Sequence, residues 1–129
     1  MKKIEKLLKS IFLSHKEIKL VYFFGSMAEG NGGPRSDWDF AFYLEEKDKK
    51  KIFKIKFQLM DEIGRALKTD KIDVIILNIV ENLELKYEVI KNGQLIYEKE
   101  PYKVLIEPRI LQEYFDYQIM MRKYNLTKS

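Results

Sequence analysis

The chain has 129 residues, a length that suits one domain with a single core. Apolar residues make up 46% and charged residues 34%, a globular balance that excludes a disordered chain. The absence of cysteine and the single histidine exclude disulfides, thiolate and iron–sulfur sites and multi-histidine metal sites. A net charge of +4 suits an anionic ligand without by itself indicating nucleic acid.

No apolar run approaches the roughly 20 residues that a membrane helix needs. The N-terminal segment MKKIEKLLKS starts with lysines, as a signal peptide does, but charged and apolar residues then alternate. The segment has neither a long apolar core nor a small-residue cleavage site. We therefore expect a helix here, no export, and a cytoplasmic protein without membrane contact.

Helical spacing of apolar residues and short β-branched or aromatic runs alternate along the chain. Helices are predicted at about 4–12, 49–68, 83–91 and 110–121, with Pro108 near the first turn of the last one. Strands are predicted at Ile18–Phe24, Trp38–Leu44, 71–78 and 94–97. The segment 101–108 fits neither pattern clearly.

A turn and a short helix are predicted directly after the first strand. Gly25 ends that strand, and Ser26 is predicted to be the N-cap of the short helix. The cluster Asn-Gly-Gly-Pro at 31–34 predicts a loop. The resulting order, α-β-α-β-α-β-α-β-α, predicts a single α/β (α+β) domain over residues 1–129, with one small sheet and helices packed against it.

Three aspartates lie at strand positions, where carboxylates are depleted. Asp37 and Asp39 flank Trp38 and point to the same face because strand side chains alternate, so Trp38 is expected in the core. Asp73 is the only charged residue in the apolar strand 72–77, where an unpaired buried carboxylate would be costly. Convergence on divalent cations would satisfy all three, and a ligand set of oxygens favours Mg²⁺ or Mn²⁺.

Each of these features alone also has an ordinary structural explanation. Asp37 fits a turn or a cap after the loop, and Asp73 fits a strand end paired with Lys71. Gly25-Ser26 fits a common strand-to-helix turn, although free amides beside a serine hydroxyl also bind phosphate oxygens well. Only their combination, in this order, favours a functional site.

The string FFGSMAEGNGGPRSDWDFAFYL, followed by KIDVIIL, resembles the nucleotidyltransferase superfamily of the DNA polymerase β type. The signature of that superfamily is Gly-Ser after a strand, Asp-x-Asp opening the next strand, and a distal Asp on a further strand. In this chain Asp37 comes eleven residues after Ser26. The resemblance implies a polymerase β-like fold with a small mixed sheet flanked by helices.

The resemblance also implies roles for the site residues. Gly25 and Ser26 would hold the triphosphate of a nucleotide, with ATP as the expected substrate. Asp37 and Asp39 would bind two magnesium ions, and Asp73 would complete one metal site and activate the acceptor hydroxyl as a base. Two cations suit in-line nucleotidyl transfer because they stabilise both the attacking and the leaving oxygens.

The small size and the segment ELKYEVIKNGQLIYEKE, followed by a tyrosine-rich helix, are similar to minimal nucleotidyltransferase (MNT) antitoxins. This similarity implies transfer of AMP from ATP to a tyrosine of a HEPN-family toxin, which silences it, and a hetero-oligomeric complex with that toxin. Neither a membrane nor direct nucleic-acid binding is expected. About half of the candidate toxin contacts could instead pack the last helix on the core: Tyr114, Tyr117, Met120, Met121 and Tyr124.

Glu29 departs from the family pattern, which commonly has a basic residue there. An acidic side chain facing a triphosphate is unfavourable, so we expect Glu29 to point away or the basic role to fall to Arg35 or Lys71. His15, near the end of the first helix, is predicted to be a cap or a surface residue.

Three other functions stay open. The first is a non-catalytic antitoxin that neutralises its partner by binding. The second is a small-molecule nucleotidyltransferase like the aminoglycoside-modifying ones, which usually carry a further helical domain for the acceptor. The third is an RNA-directed transferase, which the modest charge and the lack of a basic arm disfavour.

Overall fold

The computed structural model describes residues 2–124, in which helices and strands alternate as predicted. The helices are α1 (Lys2–Ser14), α2 (Ser26–Glu29), α3 (Lys49–Leu67), α4 (Leu83–Asn92) and α5 (Tyr102–Lys123). The strands are β1 (Ile18–Phe24), β2 (Trp38–Leu44), β3 (Ile72–Ile76) and β4 (Gln94–Glu98). Within this part of the chain, every helix is too short or too polar to cross a membrane.

The four strands form one mixed sheet in the order β3-β2-β1-β4, which confirms the predicted fold class. β1 is antiparallel to both of its neighbours, whereas β2 and β3 are parallel. A parallel pair needs a crossover connection, and α3 supplies it between the end of β2 and the start of β3. As a result, β2 and β3 begin at the same edge of the sheet, beside the residue that ends β1.

Helices cover both faces of the sheet, but unequally. The larger apolar cluster joins α1 and α3 to one face and includes the fully buried Phe12, Phe42 and Leu59. A smaller cluster joins α4 and α5 to the other face through Val89 and Ile110. The α4–α5 layer is therefore held to the sheet by the smaller share of the core.

A hydrogen bond adds to the attachment of α5. The Tyr22 hydroxyl of β1 donates to Glu107 Oε2 over 2.6 Å, and Tyr22 is only 1% exposed. Burial, then the hydrogen bond and negative charge of Glu107, raise the pKa of Tyr22, so its hydroxyl stays protonated. The bond ties α5 to a central strand of the sheet.

The start of α5 differs from the prediction. We expected Pro108 near the first turn of the last helix, but α5 begins at Tyr102 and contains Pro108 in its interior. The sequence pattern is ambiguous over 101–108 because an internal proline removes one helical hydrogen bond. Ile106 and Ile110 flank Pro108 one turn apart and both are buried, so their packing keeps the helix continuous.

His15 follows the end of α1, as predicted, but its side chain is not at the surface. α1 ends at Ser14, and the His15 ring nitrogen Nε2 lies 3.0 Å from Glu62 Oε1 of α3. The backbone N–H of His15 donates to the Phe12 carbonyl at the end of α1, but its side chain is only 14% exposed, so it is not a free surface residue. It links the two helices that cover the larger cluster.

Asn78, just after β3, secures the end of β2. Its side chain accepts a hydrogen bond from the Leu44 N–H over 2.9 Å and donates one to the Leu44 carbonyl. Since Asn78→Ala leaves both backbone groups unpaired, we expect it to lower the free energy of unfolding by about 1–3 kcal/mol, measured by urea unfolding. The control Asn92→Ala, at an exposed asparagine bonded to Glu88, should cost less than about 0.5 kcal/mol. Equal losses would contradict the role of Asn78.

Candidate active site

Asp37, Asp39 and Asp73 lie at the edge of the sheet where β2 and β3 begin. Asp39 and Asp73 are direct neighbours in the register of the parallel pair. Asp37 lies two residues before Asp39, on the same face. Trp38 between them points to the larger apolar cluster, where it is half-buried and stacks on Phe23 with ring centroids 5.7 Å apart. The fold thus brings together the three carboxylates that the sequence predicts as one site.

The three carboxylates repel one another without compensation from a basic side chain. Asp39 is half-buried, and burial followed by the negative charges of Asp73 and Asp37 raises its pKa to about 6. Asp37 and Asp73 are exposed. Within residues 2–124, none of the three forms a salt bridge. The sequence indicates Asp73 as the carboxylate at risk of burial. In the structure the more buried carboxylate is Asp39, because Asp73 stands near the start of an edge strand.

Gly25 lies directly against the carboxylate of Asp39. Its backbone has φ 84° and ψ −172°, a conformation that is essentially restricted to glycine. A Cβ atom at this position would overlap with Asp39 Oδ2. The turn after β1 therefore requires glycine both for its conformation and for its close approach to the site.

The short helix α2 follows this turn, and one detail of its start corrects the prediction. Gly25 occupies the N-cap position and Ser26 is the first helical residue, so Ser26 is not the N-cap. Gln94 of β4 donates its side-chain amide to the Ala28 carbonyl over 2.8 Å and fixes the other end of α2. Sequence reasoning missed Gln94, because a single polar residue at a strand start carries no distinctive signal.

Lys71 ties the loop before β2 to the start of β3. Its Nζ donates to the Pro34 carbonyl over 2.9 Å, and its backbone carbonyl accepts from the Trp38 N–H over 2.8 Å. Lys71 therefore holds both sides of the segment that carries the first aspartate. Its ammonium is engaged with the loop, whereas Glu29 and Arg35 are both exposed.

The donor chemistry fits a hard divalent cation. Within residues 2–124, no three His, Cys, Asp or Glu side chains are arranged to hold a metal ion by themselves. Mg²⁺ does not need such a cage, because it keeps several waters and is commonly bound by one or two carboxylates together with substrate phosphates. A cation at Asp39 and its neighbours would also relieve the repulsion that raises the Asp39 pKa.

Comparison with known proteins agrees with this geometry. Residues 5–102 match the family described as polymerase beta, nucleotidyltransferase, and that range includes the Gly25 turn and all three aspartates. The chain belongs to the polymerase beta nucleotidyltransferase family. The family and the fold inferred from the sequence are thereby confirmed.

One curated relative of this nucleotidyltransferase is the protein adenylyltransferase MntA of Aphanizomenon flos-aquae (strain 2012/KM1/D3). The two are 36% identical over 88 residues, which make up 64% of this chain. The chain spans 58% of the length of that relative.

Two solved structures share the fold of this nucleotidyltransferase. A toxin–antitoxin complex with AMP-PNP matches with a TM-score of 0.73 and 22% identity, over 95% of this chain and 93% of the other. A complex of tri-AMPylated Shewanella oneidensis HEPN toxin with MNT antitoxin matches with a TM-score of 0.64 and 20% identity, over 95% and 90%. At these identities the likeness shows the fold.

The contact between Gly25 and Asp39 predicts a difference between two glycines. Gly30 also has a positive φ, 82°, but a Cβ there meets nothing within 4 Å. Gly25→Ala must displace the Asp39 carboxylate, so we expect it to weaken binding of an Mg²⁺-bound, non-hydrolysable ATP analogue by at least about tenfold in calorimetry. Gly30→Ala should bind normally. Similar affinities for the two variants would contradict the proposed role of the turn.

The raised pKa of Asp39 predicts how stability depends on pH in EDTA. The Asp39 pKa is about 6 in the folded protein, against an ordinary value near 4, so the folded state binds more protons between about pH 4 and 6. The free energy of unfolding should therefore fall as the pH rises through this window. Asp39→Asn should flatten that fall and raise the Tm at neutral pH.

The matched control is Asp61→Asn, an exposed carboxylate of α3 paired with Arg65. It should keep the slope of the wild-type profile between about pH 4 and 6. An Asp39→Asn profile as steep as that of the wild-type protein would show that the charge of Asp39 is not destabilising.

Proposed function

We propose that this protein is a magnesium-dependent nucleotidyltransferase that transfers AMP from ATP to a tyrosine of a HEPN-family toxin in the cytoplasm, and so acts as its antitoxin. The proposal rests on the meeting of Asp37, Asp39 and Asp73 with the Gly25 turn at one edge of the sheet. Family membership supplies the reaction class. The name of the curated relative and the toxin–antitoxin complexes of the same fold support the acceptor.

The chain's own groups suit each part of the transfer. The tyrosine oxygen attacks the α-phosphorus, the bond between that phosphorus and the bridging oxygen breaks, and pyrophosphate leaves. Asp73 is exposed beside Asp39, so an acceptor hydroxyl can reach it and give up its proton. Gly25 lets the triphosphate approach the backbone, while the Ser26 hydroxyl and the adjoining amides donate to phosphate oxygens.

The three carboxylates cannot accept a triphosphate alone, because its negative charge would add to theirs. Asp37 and Asp39 would hold two Mg²⁺ ions, for which Mn²⁺ could substitute, and Asp73 would complete one of the two sites. The bound cations would stabilise the charge that develops on the transferred phosphoryl group and on pyrophosphate. Strict dependence on a divalent cation follows from this arrangement.

The outer side of α5 is the proposed contact with the toxin. Tyr114 stacks on Tyr87 of α4 with ring centroids 4.0 Å apart, so it packs within the protein, and Tyr117 and Met121 are half-buried. The second half of α5 and the residue that follows it nevertheless expose large apolar side chains, which we call the α5 patch: Phe115, Ile119, Met120 and Tyr124. Phe115 and Ile119 are one helical turn apart on the same side of α5, and large exposed apolar side chains of this kind are enriched in binding surfaces.

Intact mass spectrometry tests the reaction directly. We expect the purified protein, with ATP, Mg²⁺ and a HEPN-family toxin as partner, to add one or more AMP units to the partner. Asp37→Asn should abolish the added mass, because it removes a proposed cation ligand, whereas Asp61→Asn on the surface of α3 should not. A stable complex without any added mass would instead favour neutralisation by binding alone.

Partner binding is tested at the α5 patch. Ile119 is 58% exposed, so Ile119→Asp should leave the fold intact and weaken binding of the HEPN protein by at least about tenfold in calorimetry. Val104→Asp is the control, since Val104 is 70% exposed at the other end of the same helix. If both variants bind as the wild-type protein does, the contact lies elsewhere. If the wild-type protein itself neither forms a complex nor modifies the partner, small-molecule acceptors become the better candidates.

A further inference from the structure

A cavity of about 190 Å³ lies between the sheet and the α4–α5 layer. Tyr43 and Leu77 line it from the strand side, at the end of β2 and just after β3. Lys86 of α4 and Arg109 and Glu113 of α5 line it from the helix side. The lining thus carries two basic side chains and one acidic side chain.

The cavity faces the same side of the sheet as the aspartate site. Tyr43 comes four residues after Asp39, and Leu77 comes four residues after Asp73. Each therefore lies on the same side of the sheet as the aspartate before it. At the rise of a β-strand, four residues correspond to about 13 Å. The cavity is therefore a neighbour of the catalytic site without being part of it.

Lys86 is the unusual residue of this cavity. Its side chain is only 12% exposed, and its Nζ lies 3.9 Å from Glu113 Oε1, which is beyond hydrogen-bonding distance. Glu113 itself is 45% exposed, so its charge is largely solvated. The packed part of the Lys86 side chain is therefore its apolar stem, while Nζ is not sealed from solvent, and the 3.9 Å ion pair leaves its N–H groups available to a ligand.

We propose that this cavity binds an oxyanion group, a carboxylate or a phosphate, between Lys86 and Arg109. The volume accepts one such group with a few waters, whereas pockets for whole small molecules measure about 300–1,000 Å³. A complete nucleotide therefore does not fit. The group can come from free phosphate or from an acidic side chain of a docked protein.

We favour the acidic side chain of a protein partner as the source. The cavity lies on the same side of the sheet as the three aspartates, about 13 Å along the strands from them. A protein whose tyrosine reaches the aspartates would therefore have other side chains, acidic ones included, within reach of the cavity. This choice of source rests on the proposed function, whereas the oxyanion site itself does not.

Site-resolved NMR tests the site on the full chain, without divalent cations. Titration with inorganic phosphate, and separately with acetate, should shift the amide resonances of Asn78, Lys86 and Ile110 in a saturable manner. Lys86→Met keeps the apolar stem of the side chain and should lower the affinity by at least about tenfold. Lys91→Met is the matched control, because Lys91 lies on the same helix but is exposed, and it should leave the affinity unchanged.

Two results would overturn the proposal: shifts confined to the Ser26 turn, or equal affinities for the wild-type protein and Lys86→Met. Arg109→Gln, at an exposed position, provides a second variant should Lys86→Met fail to fold. It should also weaken binding of the anion, and unaltered binding would count against the site.

Binding of the HEPN protein identifies the source of the anion. If Lys86→Met weakens that complex and phosphate competes with it, a partner carboxylate occupies the cavity. If the complex is unchanged while phosphate still binds, the ligand is a free oxyanion. If the wild-type protein neither binds the HEPN protein nor modifies it, the proposed function fails, and the titration still decides whether the cavity is an anion site.

Discussion

The parallel register of β2 and β3 is the constraint on which the site depends. It places Asp39 opposite Asp73, and it does so against the repulsion of two like charges. The opposite face of the same strands carries Phe40, Phe42 and Val74, all fully buried under α1 and α3. A shift of the pairing by one residue would turn these apolar side chains away from the core. Burial on one face thus fixes the charge cluster on the other.

A second constraint comes from β1, which delivers Gly25 to the same edge. β1 pairs with β2 so that Phe24 lies opposite Asp39, and the chain turns immediately afterwards. Because this turn has no side chain at its closest point, backbone and carboxylate can approach each other. The site is therefore assembled where three strands end or begin, and each contributes one part of it.

The sequence predicts most of this arrangement because local patterns determine it. Short apolar runs and helical spacing indicate the elements, and the order of Gly-Ser, Asp-x-Asp and a distal Asp indicates which strand ends carry the site. Four features needed tertiary information. The helix continues through Pro108 because buried neighbours hold it, Asp73 is exposed because β3 is an edge strand, and Gln94 and Lys86 act through contacts with segments distant in sequence.

The hydrogen bond from Gln94 to Ala28 connects α2, which follows the Gly25 turn, to β4. β4 lies at an edge of the sheet and has β1 as its partner strand. Local unfolding of β4 would release α2 while leaving the β2–β3 pair and α3 in place. In native-state hydrogen exchange, the amides of α2 should then follow those of β4 and not those of α3. The Gly25 turn and α2 would then belong to the less protected part of the protein, although Gly25 lies directly against Asp39 of β2.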